Sequence, residues 1–242
     1  MKKTSRRKDY RALHETKLKE SFSKSESNYE APKKLLKFDS KAEKHVLKVR
    51  FLPNKNPDDF PFSQIKSHNI YIGPDTYHFI TCGQSTSGTC PICEFNRGLD
   101  DETVKKSRLY ATKKYYSNVL VISDSVNPDN NGKVMVLEYS QTTQNFLMEM
   151  LKGDEEMDEK PSYYYDLEHG STIVIKKEGI RINTKYIMKA LKPEALDEDL
   201  DDMIFAEIED TKKFGLQLNK IASNDEKMLQ DYKHFLETAD II

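Results

Sequence analysis

Tryptophan is absent from this 242-residue sequence, cysteine occurs three times, and glycine and proline nine times each. No apolar run approaches the roughly 20 residues needed to cross a bilayer, which excludes a membrane helix as an organising feature. The basic start, Met1-Lys2-Lys3-Thr4-Ser5-Arg6-Arg7-Lys8, has no apolar segment behind it and does not read as a secretory signal. Three cysteines cannot build a disulfide framework without leaving one over. Their crowding between Cys82 and Cys93 points instead to metal binding in a reducing compartment. Hydrophobic residues make up only 37% of the chain and charged ones 32%, the composition of a very polar soluble protein. A chain of this length still buries a real core, as one medium domain or two small ones. Without tryptophan, aromatic surface must come from 13 Tyr and 11 Phe.

The formal net charge of -2 conceals an asymmetry. Residues 1–50 hold 16 basic and 7 acidic side chains, residues 51–150 hold 9 and 11, and residues 151–242 hold 13 and 22. A basic end opposed by an acidic one suggests a nucleic-acid or membrane arm. Residues 1–35 are basic and Ser-rich and lack the apolar density for a core of their own, so they read as an arm with a short helix around Tyr10–Phe22.

Beyond the arm the pattern turns to short strands. Lys44–Leu52 is one, ended by Pro53-Asn54-Lys55-Asn56-Pro57. Asn69–Ile72 and Thr76–Thr81 flank the turn Gly73-Pro74-Asp75, and Tyr115–Ser123 pairs with Lys133–Tyr139 as a hairpin. Gln141–Lys152 has helical spacing. Ser171–Lys177 is a strand with Arg181–Met188 as its expected partner, Asp197–Asp202 is an acidic connection, and 203–238 reads as helical. Together these predict a mostly β protein with some α, either barrel-like or α+β.

Cys82 followed by Cys90-Pro91-Ile92-Cys93 is the sharpest motif. A Cys-x-x-Cys turn points two thiolates to one side at a separation suited to tetrahedral zinc, and a third thiolate leaves one position for His68 or His78. A redox pair would open a helix after a strand in a βαβ setting, which the sequence does not present. No His-x-Glu or His-Glu-x-x-His motif supplies a base, so one structural zinc is expected rather than a catalytic one.

Next comes Lys105-Lys106-Ser107-Arg108-Leu109-Tyr110-Ala111-Thr112-Lys113-Lys114-Tyr115-Tyr116. Cations neutralise phosphates, and flat rings offer unpaired bases a stacking surface with little sequence preference. Tyr186, beside Lys185 and Lys189, is of the same kind, whereas Tyr163, Tyr164 and Tyr165 cannot all face one side of a strand.

In their order and neighbouring phrases, Val49-Arg50-Phe51-Leu52-Pro53-Asn54-Lys55-Asn56, His68, Cys82, Cys90-Pro91-Ile92-Cys93, Lys113 to Ile122 and Pro128 to Val134 resemble the single-stranded DNA-binding (helix-destabilising) proteins of T-even-type phages, over about residues 45–190. The resemblance implies an OB-fold core with an inserted zinc subdomain at about 60–105, ligated by His68, Cys82, Cys90 and Cys93, and C-terminal helices from 216. It implies DNA contacts from Lys113, Lys114, Tyr115 and Tyr116, and more weakly from Arg108, Tyr110 and Tyr186, with Lys105 and Lys106 in the same basic stretch. It also implies cooperative self-association through Lys2, Lys3, Thr4, Ser5, Arg6 and Arg7, and work with replisome and recombination proteins in the cytoplasm of an infected bacterial host. The family's Asp/Ser-rich acidic tail has no counterpart here. The expected function is therefore non-enzymatic, cooperative coating of single-stranded DNA in replication, recombination and repair. The rivals are a zinc-ribbon adaptor that contacts proteins and a metal-dependent nuclease built on Asp154, Glu155 and Glu156.

Overall fold

The computed structural model describes residues 33–73, 76–100, 102, 111–154, 156, 160–218, 230 and 233, with the side chains of 69–80 left out. The chain divides into two units, residues 1–33 and 34–242, and all the described residues except Lys33 belong to the second. The expected arm helix at Tyr10–Phe22 lies outside the described residues.

One eight-stranded sheet organises the second unit. Its strands are β1 (Leu35–Leu36), β2 (Lys44–Phe51), β3 (Ser63–Gly73), β4 (Thr76–Thr81), β5 (Thr112–Asp124), β6 (Val134–Tyr139), β7 (Ser171–Glu178) and β8 (Lys185–Pro193). Among the described residues the α-helical elements are α1 (Pro91–Arg97), α2 (Gln141–Lys152), α3 (Asp201–Glu207) and α4 (Thr211–Leu218). The path runs β1-β6-β5-β2-β7-β8, with β3 pairing both β5 and β4. All pairings are antiparallel except β1 with β6. Among the described residues no helix is long and apolar enough to cross a membrane.

The 13-residue β5 is the common member. Its first half, Thr112–Tyr116, pairs β3, and its second half, Val119–Asp124, pairs β2 along the same edge. Successive side chains of a strand point to opposite faces. Tyr115, Val119 and Val121 therefore join the main core with Phe51, Tyr139, Ile173 and Ile175. The alternate residues Tyr116 and Leu120 face α3 and α4, meeting Phe214 in one cluster and Ile204 and Ile208 in another. Coverage of both faces explains why this strand reads as a continuous apolar run rather than an alternating one.

Two buried asparagines fasten the helices to the sheet. Asn118 Nδ2 donates to the carbonyls of Pro53 and Glu209, and its Oδ1 accepts the Glu209 amide at 3.0 Å. Asn54 Oδ1 accepts the amides of Lys55 and Thr211. Gly215 lets α4 lie close, since a Cβ there would come within 2.8 Å of the Tyr116 ring and 2.9 Å of Ile65.

His45 and Asp124 form a buried pair, Nε2 to Oδ1 at 2.8 Å. The amide of Asp39 donates to His45 Nδ1 at 3.0 Å, so the ring proton sits on Nε2 and is donated to Asp124. Burial alone would raise the Asp124 carboxyl, but the amides of Asn127 and Val126, Asn130 Nδ2 and His45 together hold it below the ordinary carboxylate range. A depressed folded-state pKa contributes stability that is present above the unfolded value, about pH 4, and is lost as pH falls through the folded one. Asp124→Asn is therefore expected to flatten the acid limb of the stability curve, read from thermal melts over about pH 2–7.

Several sequence expectations need correction. The sheet begins at Leu35, inside the span assigned to the arm, because the Val136 amide already reaches the Lys34 carbonyl. The partner of β7 is Lys185–Pro193 rather than Arg181–Met188, since Arg181–Asn183 forms a 3₁₀ turn with positive φ at Arg181. Residues 203–238 do not form one helix. The chain leaves α3 at Ile208 in extended geometry and restarts at Thr211, held by Asn118 and Asn54. A boundary at 216 would cut α4, whose Phe214, Leu216 and Leu218 pack together.

Candidate metal centre and nucleic-acid interface

The β3–β4 hairpin, a 3₁₀ turn at Gly83–Ser85 and α1 build a lobe around four donors. His68 lies on β3, Cys82 follows β4, Cys90 precedes α1 and Cys93 lies in its first turn. One donor atom from each lies within 4.8 Å of every other, and all but Cys93 are buried. Cys82 Sγ is 3.5 Å from Cys93 Sγ, and His68 Nε2 is 3.3 Å from Cys90 Sγ and 3.4 Å from Cys93 Sγ. A tetrahedral zinc with the usual bond lengths sets S···S near ~3.8 Å and S···N near ~3.6 Å, so donor set and spacing both fit such an ion. The side chain of His78, the other histidine consistent with the spacing, is outside the description.

Local chemistry fixes these donors. The Cys82 amide donates to the Lys66 carbonyl at 2.8 Å, and the Lys66 amide donates to Ser85 Oγ at 2.8 Å, tying the turn to β3. The amides of Thr86, Ser87 and Gly88 all donate to the Gly83 carbonyl. Any Cβ at Gly83 would collide with the carbonyl of Thr89, so the loop closes only over glycine. Pro91 opens α1 from Cys90, where its missing amide proton costs nothing. Cys-Pro-Ile-Cys thus does start a helix, contrary to the expectation of a bare turn. The setting is a hairpin lobe with a third thiol and a histidine, not βαβ.

The thiols interact strongly. Burial pushes Cys82 up. Burial would raise Cys90 too, but the hydrogen bond with His68 and bonds from the backbone bring it down to about 6. Burial, Cys82 and the nearby Cys90 charge push Cys93 up to about 12. Three thiols this close cannot all ionise without a cation among them, which is the role a divalent ion fills.

The lobe joins the sheet beside a second feature. Lys66 and Ile65 on β3 face Lys113 and Lys114 on β5. From there an open cleft of 360 Å³ is lined by Lys37, Phe38, Lys113, Lys114, Glu138, Tyr139 and Tyr186, among others. Lys113 is exposed and Lys114 half-buried. The half-buried Tyr186 ring meets Phe38 edge-on, 5.3 Å between centroids. Glu138 sits between cations, 3.2 Å from both Lys37 Nζ and Lys114 Nζ. Burial alone would raise its carboxyl, but Lys114 and Lys37, with the Tyr116 hydroxyl, hold it below the usual range.

The structure places the other expected contacts differently. Tyr116 is fully buried and its hydroxyl donates to Glu138 Oε2 at 2.9 Å. Tyr115 is 4% exposed, stacked on Tyr139, with its hydroxyl oxygen 2.6 Å from Gln141 Oε1 and 2.9 Å from Gln64 Oε1, donating its one proton to one of them. Both rings therefore pack as core rather than lie open to bases, because the pleat turns one to each buried face. Lys105, Lys106, Arg108, Tyr110 and the arm residues Lys2, Lys3, Thr4, Ser5, Arg6 and Arg7 lie outside the described residues. Tyr164 is in the core and Tyr163 is 58% exposed. Lys37, Phe38 and Glu138 were missed by sequence reasoning. Their local signal is only a Lys-Phe pair after Leu-Leu and one acid ending an apolar strand. Of the acidic trio considered for a nuclease, Asp154 and Glu156 are exposed and joined by an amide-to-carboxylate turn, and Glu155 is outside the described residues.

A β-rich chain with a His/Cys₃ cluster able to hold a metal ion, beside a lysine- and ring-lined cleft, has the outline of a binding protein rather than of an α/β enzyme. The chain belongs to the gp32 DNA binding protein like family, whose model matches residues 45–233. It is 26% identical over 173 residues to the single-stranded DNA-binding protein of Enterobacteria phage T4 and 27% identical over the same length to that of Enterobacteria phage T2. Each match covers 67% of this chain and 57% of the relative.

Proposed function

We propose that this protein binds single-stranded DNA without sequence preference and coats it cooperatively in phage DNA replication, recombination and repair, within the cytoplasm of the infected host. It does so without enzymatic activity. The meeting of Lys113, Lys114 and Tyr186 in one cleft, in a chain of this family, carries the reading. The relatives' shared name supports it. The sheet around β5 acts as an OB-fold core, and His68, Cys82, Cys90 and Cys93 hold one structural zinc that keeps the adjoining lobe folded. Lys105, Lys106, Arg108 and Tyr110 extend the cationic track, while Tyr115 and Tyr116 support its floor. Residues ahead of Lys34, through Lys2 to Arg7, mediate self-association along the strand, and replication and recombination proteins are the further partners.

Binding acts by linkage: a ligand of the unpaired form draws duplex openings forward by mass action. Fluorescence titration with poly(dT) and with duplex is the test. Affinity for poly(dT) should exceed that for duplex and fall with salt by about 0.7 log units per log unit for each phosphate neutralised. Tyr186→Ala should lose about 1–3 kcal/mol of binding, the worth of a stacked base, with a smaller fall in melting temperature than a fully buried ring would cause, since Tyr186 is half-buried against Phe38. Deleting residues 1–8 should chiefly reduce cooperativity. A chain that ignores oligonucleotides at low ionic strength would instead support the zinc-ribbon adaptor.

A further inference from the structure

We infer that Glu138 is a built-in competitor for phosphate: its carboxylate occupies the place between Lys37 and Lys114 that a backbone phosphate of the bound strand would take, and so limits affinity. The inference rests on the single-strand reading above and concerns the same cleft.

The geometry carries it. Each carboxylate oxygen faces a different lysine, Oε2 toward Lys37 and Oε1 toward Lys114, both at 3.2 Å. Tyr116 fixes the Oε2 end from beneath at 2.9 Å. The Glu138 side chain is 15% exposed, whereas Lys37 and Lys114 are 46% and 34% exposed. The acid therefore forms the floor and the two ammonium groups the rim. An anion arriving in this cleft meets cations already engaged by an anion of the protein. Lys113, one residue away and exposed, has no ion pair among the described residues, so it is the lysine left open to a phosphate. Two lysines and one carboxylate present a single net positive charge where two would otherwise stand.

This arrangement has a stated consequence for salt dependence. Glu138→Gln keeps an oxygen to accept the Tyr116 hydroxyl and removes the competing charge. One regained phosphate contact should steepen the log affinity against log salt slope by about 0.7. With the two affinities taken as equal at 1 M salt, the same relation makes binding about 8-fold tighter at 50 mM and about 3-fold tighter at 200 mM. Glu138→Asp keeps the charge and should keep the wild-type slope, which separates charge from packing.

The experiment is a poly(dT) titration of wild type, Glu138→Gln and Glu138→Asp across salt, with thermal melts of each. If Glu138→Gln does not melt cooperatively, Glu138→Ala takes its place under the same expectation. A steeper slope and tighter binding in the neutral variant alone supports the inference. An unchanged slope, weaker binding, or an equal change in Glu138→Asp overturns it. Wild type that fails to bind poly(dT) overturns the single-strand reading itself, whereas wild type that binds equally to Glu138→Gln overturns only the role of Glu138.

Discussion

Replacing Cys90 with Ser is expected to abolish stoichiometric zinc binding and to unfold the lobe from β3 to α1. Among the side chains described in the lobe, Ile65 and Ile92 are the buried aliphatic ones. Structural zinc sites supply about 10–16 kcal/mol to peptides that do not fold alone, and four ligands spread over β3, the turn after β4 and α1 would let one ion tie these segments together. Loss of even an indirect supporting group costs metal affinity about 10–100-fold, so loss of a thiolate should cost more. Wild type should retain one zinc per chain through dialysis against a weak chelator, and the variant none. Amide exchange should then accelerate across 63–100 while β7 stays protected. A wild type purified with zinc that carries no metal, or a variant with unchanged melting and exchange, would refute the assignment.

Tyr116→Ala should unfold the protein more readily than it disturbs any stacking surface. The ring fills space among Ile65, Val136 and Phe214, with Gly215 pressed against its edge. Removing a buried aromatic costs about 3–5 kcal/mol, and at this chain size that lowers the melting temperature by about 6–20 °C. Tyr116→Phe keeps the packing and drops only the bond to Glu138, so its loss should be smaller. The opposite signature, unchanged melting with weakened oligonucleotide binding, would show that the ring lies at the surface.

These two residues also mark how far sequence reasoning reached. Cys82, Cys90 and Cys93 were legible because metal ligation demands particular atoms at short spacing, and the family resemblance chose His68. Strand β2, the β5–β6 hairpin and helix α2 were legible because their apolar periods are strong. Tyr115 and Tyr116 misled because adjacency to Lys113 and Lys114 looks the same whether a ring faces solvent or core. What decides between them is α4, ninety-odd residues downstream, which covers the Tyr116 face. The break at Ile208–Asp210 was hidden for a similar reason: Asn118 and Asn54, remote in sequence, capture the backbone there. Lys37 and Glu138 gave no local sign, since their pairing depends on the parallel contact of β1 with β6.

Because β5 pairs with β3 of the candidate metal lobe at one end and with β2 of the central sheet at the other, the proposed ion and polynucleotide sites share one strand. His68 stands two residues along β3 from Lys66, which is paired with Lys113. If zinc in the lobe tightens binding in the cleft, reciprocity requires that bound polynucleotide tighten the hold on zinc by the same factor. On that reading, chelating the ion would slacken the grip on the strand as well as loosen the lobe.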